Sequence, residues 1–294
     1  MTKAERIVLI HGRAQEHKDS IALKGEWLEA LRLGLSKSNL ALPLAEDQIK
    51  FPYYGQTLFD LVANAGAVAE VVVRGTDSAT KDEQRFQQAV LEEVQRELGI
   101  SDAQVDAALP GDVRQRGPAN WEWVQGILAA IDQVPGVSAA SIALVTRDVY
   151  QYLKNPTVRK RIDDGVLQAM LPGVPTVVVS HSLGTVVAYN LLKREGAAHG
   201  WVVPLFVTLG SPLGVTAIRQ AASPIEHPSC VTSWFNAMDE RDVVALYPLT
   251  KERFDVDPAI VNKTDVLNHT DNRHGISGYL DDVDVARRIH DALR

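Results

Sequence analysis

The chain has a single cysteine, Cys230, in 294 residues. An internal disulfide is therefore excluded, and a cysteine-built metal site lacks its ligands. No HExxH or comparable ligand spacing occurs around the eight histidines, which makes metal-assisted hydrolysis the least expected chemistry. Positive charge is also scarce. Thirty Lys and Arg against 37 Asp and Glu leave a formal net charge of -7, with no basic footprint for nucleic acid. No apolar run approaches the roughly 18 residues needed to span a bilayer, and the amino-terminal run from Ile7 to Ile10 is too short for a signal-peptide core. These absences lead to the expectation of a soluble, cytoplasmic protein with no transmembrane segment, no metal, no cofactor and no nucleic-acid partner.

The composition that remains, 46% hydrophobic and 23% charged, is globular and long enough for a sizeable core. One domain over residues 1–294 is expected, with a helical insertion over residues 55–171. On either side of that insertion short β-branched runs alternate with helical spacing, which predicts an α/β fold with a mostly parallel sheet flanked by helices. RIVLIHG (Arg6 to Gly12) reads as the first strand, and Trp27 to Leu35 repeats apolar residues at helical spacing. QIKFPYY (Gln48 to Tyr54) resembles another strand end that Pro52 confines to an edge. Later strands are expected within Thr176 to Ser180, Trp201 to Pro212, Val231 to Ala237 and Val261 to Asn268, with a closing helix over Asp281 to Leu293. Inside the insertion only Val71 to Val73 suggests a strand, in a segment that also reads as helix. Lys81 to Leu98 is amphipathic, and Gly111 to Pro118 is the best linker candidate. Pro118 opens a further helix, and Asn155-Pro156 separates the last two, Ser138 to Leu153 and Pro156 to Leu171.

The stretch TVVVSHSLGTVVAY (Thr176 to Tyr189) runs from a buried strand straight into a helix and leaves Ser182 on the turn between them. A serine held in a tight strand-to-helix turn exposes its hydroxyl above the sheet, which is the pattern of a nucleophile elbow. Such a hydroxyl is a poor nucleophile until a base removes its proton, and the base needs an acid to fix its tautomer. After a serine turn of this kind the acid and then the histidine are expected at later strand ends. Asp242, just before the apolar pair Val243-Val244, is preferred over Asp239 as the acid. His274, in a polar loop ahead of Gly275, is preferred over His269 as the base. His181, beside the serine, is expected to pack or to hydrogen-bond. Acyl transfer also needs two backbone donors for an oxyanion hole. The N–H of Leu183 is one, and the exit of the first strand points to Arg13 for the other, with Ala14 behind it.

The motifs IVLIHG, VVVSHSLG, VTLGSPLG, WFNAMDERDVVA and NRHGISGYL together resemble those of α/β-hydrolases of the lipase and esterase type. The resemblance covers Arg6 to Tyr54 and Thr176 to the end, and not the helical insertion. It implies metal-independent cleavage of a small-molecule or lipid acyl ester, or a thioester, through an acyl-enzyme on Ser182, His274 and Asp242. Two departures stand out: Ser180 occupies a position usually held by glycine, and the sequence opens at the His-Gly strand, as in a reduced form of the fold. A peptidase or amidase on the same residues, and a non-catalytic module with the insertion as a binding surface, remain open alternatives. The insertion could cap the catalytic edge or be a purely structural layer. Its Trp121, Trp123, Tyr150 and Tyr152 could line an acyl pocket or simply be core. Acyl chain, leaving group and oligomeric state are not legible.

Overall fold

A computed structural model describes residues 3–12, 19–55, 80–109 and 121–294. Arg13, Ala14, the Val71 to Val73 segment and the Gly111 to Pro118 linker lie outside the described residues, as do the side chain of Trp121 and the proposed helix opening at Pro118.

Six strands form one parallel sheet: β1 (Arg6–Ile10), β2 (Ile49–Lys50), β3 (Thr176–His181), β4 (Phe206–Leu209), β5 (Trp234–Ala237) and β6 (Val261–Lys263), in the order β2-β1-β3-β4-β5-β6. Every residue of β1 and β3 is buried, as expected of central parallel strands covered on both faces. Gln48 to Tyr54 contributes only two residues, at the edge beside β1. Pro52, which has no N–H to give to a ladder, follows directly.

Among the described residues the helices are α1 (Ser20–Ser36), α2 (Lys81–Glu97), α3 (Asp102–Ala108), α4 (Trp121–Ile131), α5 (Ala139–Lys154), α6 (Pro156–Leu167), α7 (Leu183–Glu195), α8 (Thr216–Ala221), α9 (Ile276–Leu280) and α10 (Val283–Ala292). Helix α1 begins seven residues before the apolar spacing suggests. Asp19 starts it by accepting from the Ile21 N–H at 3.2 Å, and the first turn faces water, with Ile21 exposed. The break at Asn155-Pro156 is a cap of the same kind: Asn155 Oδ1 accepts from Thr157 and Val158, and Pro156 takes the first helical position, where no N–H is needed.

Alternation along the strands sorts the core into two layers. Ile7, Leu9, Val177, Val179, Val207 and Leu209 face α1, α9 and α10. Val8, Ile10, Val178, Phe206 and Trp234 face the other way, into a cluster shared with α7 and with the helices between β2 and β3. Trp123 and Tyr152 belong to this second core. Tyr152 is fully buried, with its hydroxyl on Asp163 Oδ1 at 2.8 Å. Of the described helices of the 55–171 segment, α5 and α6 pack on α7 and α2 packs on α5, and α2 also holds the sheet's carboxyl edge. Glu93 of α2 accepts from Thr216 N–H at 3.0 Å and its hydroxyl at 2.9 Å, satisfying the first turn of α8, while Glu97 accepts from Tyr247 at 2.7 Å.

A polar row crosses the sheet one residue short of the carboxyl ends of β3 to β5. Ser180 pairs with Thr208, Thr208 with Asn236 and Asn236 with Asn262. Ser180 Oγ donates to Val207 O at 2.9 Å, Thr208 Oγ1 to Asn236 Oδ1 at 2.8 Å, and Asn236 Nδ2 to Asn262 Oδ1 at 3.0 Å. Slipping any strand by one residue would strand these buried groups without partners, so the row pins the register where the functional loops leave.

Candidate active site

Ser182 sits between β3 and α7 with φ 55° and ψ -129°, a left-handed conformation that a non-glycine residue adopts only under strain. The close approach of strand and helix explains the neighbouring glycine: a Cβ on Gly184 would overlap the carbonyl oxygens of Ile10 and His11 on β1 and its exit. The chain leaving β1 touches the serine itself, since a Cβ on Gly12 would stand 2.6 Å from Ser182 Cβ.

Ser182 Oγ lies 2.8 Å from His274 Nε2, and His274 Nδ1 lies 2.7 Å from Asp242 Oδ2. The carboxylate only accepts, so Nδ1 carries the imidazole proton and Nε2 is free to accept from the serine hydroxyl. Asp242 is 1% exposed. Its Oδ1 accepts from the N–H groups of Val244 at 2.9 Å and Ala245 at 3.4 Å, so the apolar turn anchors this carboxylate. Val243 and Val244 also close an apolar gap against Val90 and Val94 of α2 and Ile142 and Val145 of α5, fixing the acid loop to the helical layer.

Asp239 takes another role. Its carboxylate accepts from Asn268 N–H at 2.9 Å and Arg241 N–H at 2.8 Å, tying the β5 exit to the segment that leads to His274. His269 points away, with a side chain 59% exposed and Nε2 3.3 Å from Asp281 Oδ2.

Three further residues complete the surroundings of the site. Tyr279 is buried and donates its phenolic proton to Asp242 Oδ2 at 2.6 Å. Asn268 donates to Gly275 O at 2.9 Å and accepts from Thr270, shaping the loop before His274. Gly210, at the end of β4 with φ 54°, lies where a Cβ would come within 3.1 Å of both Asp242 Oδ2 and His274 Nδ1. Only the Gly-Ser-Pro following a strand hinted at this position.

His181 both packs and hydrogen-bonds. Its Nε2–H donates to His274 O at 2.7 Å, and its ring lies 4.7 Å from that of His274. At the end of β1, His11 Nδ1 donates to Gly12 O at 2.7 Å and Nε2 accepts from Tyr54 N–H at 3.0 Å, while the Tyr54 hydroxyl donates to His11 O. Burial lowers the pKa of His181 to about 3, with the adjacent His274 the next cause, and burial lowers His11 to about 4. In the unfolded chain both titrate near 6.5. Between those values the unfolded state binds more protons, so this contribution to stability is complete above about pH 6.5 and is lost as the pH falls toward 4 and then 3. The His181→Gln variant is expected to flatten the dependence of urea-unfolding stability on pH between about 6 and 4.5 by up to about 1.4 kcal/mol per pH unit. An unchanged slope would show that His181 does not need to be buried neutral.

The N–H of Leu183, the first residue of α7, has no intrahelical acceptor and stands at the positive end of the helix dipole. A cleft of about 570 Å³ opens beside His274 and His181, between Leu23, Ala30 and Leu33 of α1 and the loop at Asn272 and Ile276. Among the described residues no three His, Cys, Asp or Glu side chains converge as a metal ion would require, and no helix is long and apolar enough to cross a membrane. Compared with models of protein families, with curated proteins and with solved structures, the chain matches none.

Proposed function

We propose that this chain is a serine hydrolase acting on a carboxylic ester, similar to the lipase and esterase type of α/β-hydrolase. The observation that carries this is the unbroken chain Ser182 Oγ, His274, Asp242, at 2.8 and 2.7 Å, built on a serine held at φ 55°. A structural serine has no need of a left-handed backbone, and a structural histidine has no need of a buried carboxylate behind it.

In this reading Ser182 Oγ attacks the acyl carbon while His274 Nε2 takes its proton. Asp242 stays ionised and steadies the imidazolium. The charge on the former carbonyl oxygen is met by the Leu183 N–H. Arg13 N–H is the second donor proposed, supported by the passage of the β1 exit against Ser182 at Gly12. His274 then protonates the leaving alcohol, and water, deprotonated by the same nitrogen, releases the acid from the acyl-enzyme.

The test is labelling by a fluorophosphonate probe, which reacts only with an activated serine. The native chain is expected to label, and His274→Ala to lose labelling by several orders of magnitude. A native chain that resists the probe and also fails to cleave a series of p-nitrophenyl esters would rule out the proposal.

A further inference from the structure

Asp242 Oδ2 receives two protons, one from each side. His274 Nδ1 lies 2.7 Å away and the Tyr279 hydroxyl 2.6 Å away. Tyr279 comes from α9, which packs against α1, and its ring is fully buried. Its hydroxyl is also an acceptor, for the Asp239 N–H at 3.3 Å. That second bond decides which way the phenol points: with its lone pair engaged by a backbone N–H, its proton is left for the carboxylate. The three groups meet over Gly210, whose missing side chain leaves room for them, since a Cβ there would stand 3.0 Å from Tyr279 Cε2 and 3.1 Å from both Asp242 Oδ2 and His274 Nδ1.

We infer that Tyr279 is a positioning residue for the catalytic pair, holding Asp242 and dividing the charge of Oδ2 between two donors, so that it sets how strongly His274 is drawn to its proton. This rests on the proposed hydrolase function. An O–H donor on an ionised oxygen is among the stronger hydrogen bonds, and inside a protein the two bonds on one oxygen compete. With the phenol present, less of the Oδ2 negative charge is directed at His274 Nδ1. Among the described residues, the other titratable groups around the junction are His181 against the face of His274, Asp239 behind Tyr279 with Arg241 upon it, and His11 beyond His181. They are unchanged by the substitution that tests the idea.

Tyr279→Phe keeps the ring and removes only the hydroxyl. The pH dependence of fluorophosphonate labelling is expected to move, its acid limb rising by roughly half a pH unit as His274 holds its proton more tightly. The maximal rate is expected to fall about tenfold as Asp242 loses a support. A role confined to packing would leave both unchanged in this variant and lower only thermal stability, and that outcome would overturn the inference. The downfield NMR resonance of the His274 Nδ1 proton gives a readout that needs no activity: it should shift in Tyr279→Phe and vanish in Asp242→Asn. Were the native chain not to label, the hydrolase reading would fall while a shift of this resonance still established the Tyr279 coupling. A resonance that does not respond to Tyr279→Phe in a chain that does label would sink the coupling alone.

Discussion

Replacing Ser182 with glycine is expected to abolish ester hydrolysis and at the same time raise the melting temperature. The first effect follows from removing the proposed nucleophile. In a triad that acts as a unit, loss of the serine costs on the order of 10⁶-fold in turnover, leaving only what the oxyanion donors and binding supply. The second follows from the backbone. At φ 55° and ψ -129° a side chain is strained, at a cost of about 1–3 kcal/mol, whereas glycine adopts that conformation freely. Glycine's greater freedom in the unfolded chain offsets part of the gain, and the lost 2.8 Å contact with His274 offsets a little more. A net gain of about 1 kcal/mol remains, or about 2–4 °C for a chain of this size. Ser182→Ala separates the two effects, because it removes the hydroxyl and keeps the strained Cβ. It should lose activity as fully as glycine does, with little or no gain in melting temperature. Steady-state hydrolysis of a p-nitrophenyl ester and a thermal melt of the three proteins are sufficient. Hydrolysis surviving in either variant would remove Ser182 from the role of nucleophile, and a glycine variant that melts lower than native would show the turn to be unstrained.

Asp242→Asn should lower kcat/KM by about 10⁴-fold. The substitution is nearly isosteric, and an asparagine can still accept from Val244 and Ala245 with its oxygen. Its amide nitrogen must then stand where Oδ2 receives protons from both His274 and Tyr279. A donor now faces His274 Nδ1, so the imidazole is driven to carry its proton on Nε2, and that nitrogen can no longer take the proton of Ser182. The control is Asp239→Asn, at the other carboxylate of the same loop. Asp239 holds Asn268 and Arg241 rather than the histidine, so its loss should appear mainly as lowered stability, with a far smaller loss of kcat/KM. Equal losses of activity in the two variants, at equal folded fractions, would mean that the loop's shape rather than the Asp242 carboxylate governs the rate.

The contrast between these two aspartates shows where legibility in the sequence stops. Both lie just after β5, and both are 1% exposed. The apolar pair after Asp242 suggested an anchored carboxylate, and Val244 and Ala245 do anchor it. Nothing local could suggest that Asp239 would be occupied by the backbone of Asn268, because that bond depends on how the loop after β6 returns to the sheet. His274 is favoured over His269 by its place in a polar loop ahead of Gly275. Their separation into a ring on Ser182 and a ring on Asp281 depends on the turn built by Asn268 and Thr270. Tyr279 is the least legible of these residues. An aromatic residue just ahead of the last helix reads as core, and only the packing of α9 brings its hydroxyl to Asp242.

Some features were determined by the sequence alone, because they depend on residues adjacent in the chain. They are the two central strands, from continuous β-branched runs; the edge position of Gln48 to Tyr54, from Pro52; the cap at Asn155-Pro156; and the serine turn, from small residues around Ser182. Tertiary structure decided the rest. The order of strands in the sheet, the polar row from Ser180 to Asn262 that fixes their register, the packing of α5 and α6 on α7, the meeting of Asp242, His274 and Tyr279 over Gly210, and the contact of His274 with Ser182 all depend on segments far apart in the chain. Local propensity acts over a few residues, whereas a hydrogen bond of 2.6 Å between helix and loop requires the whole core to set the distance.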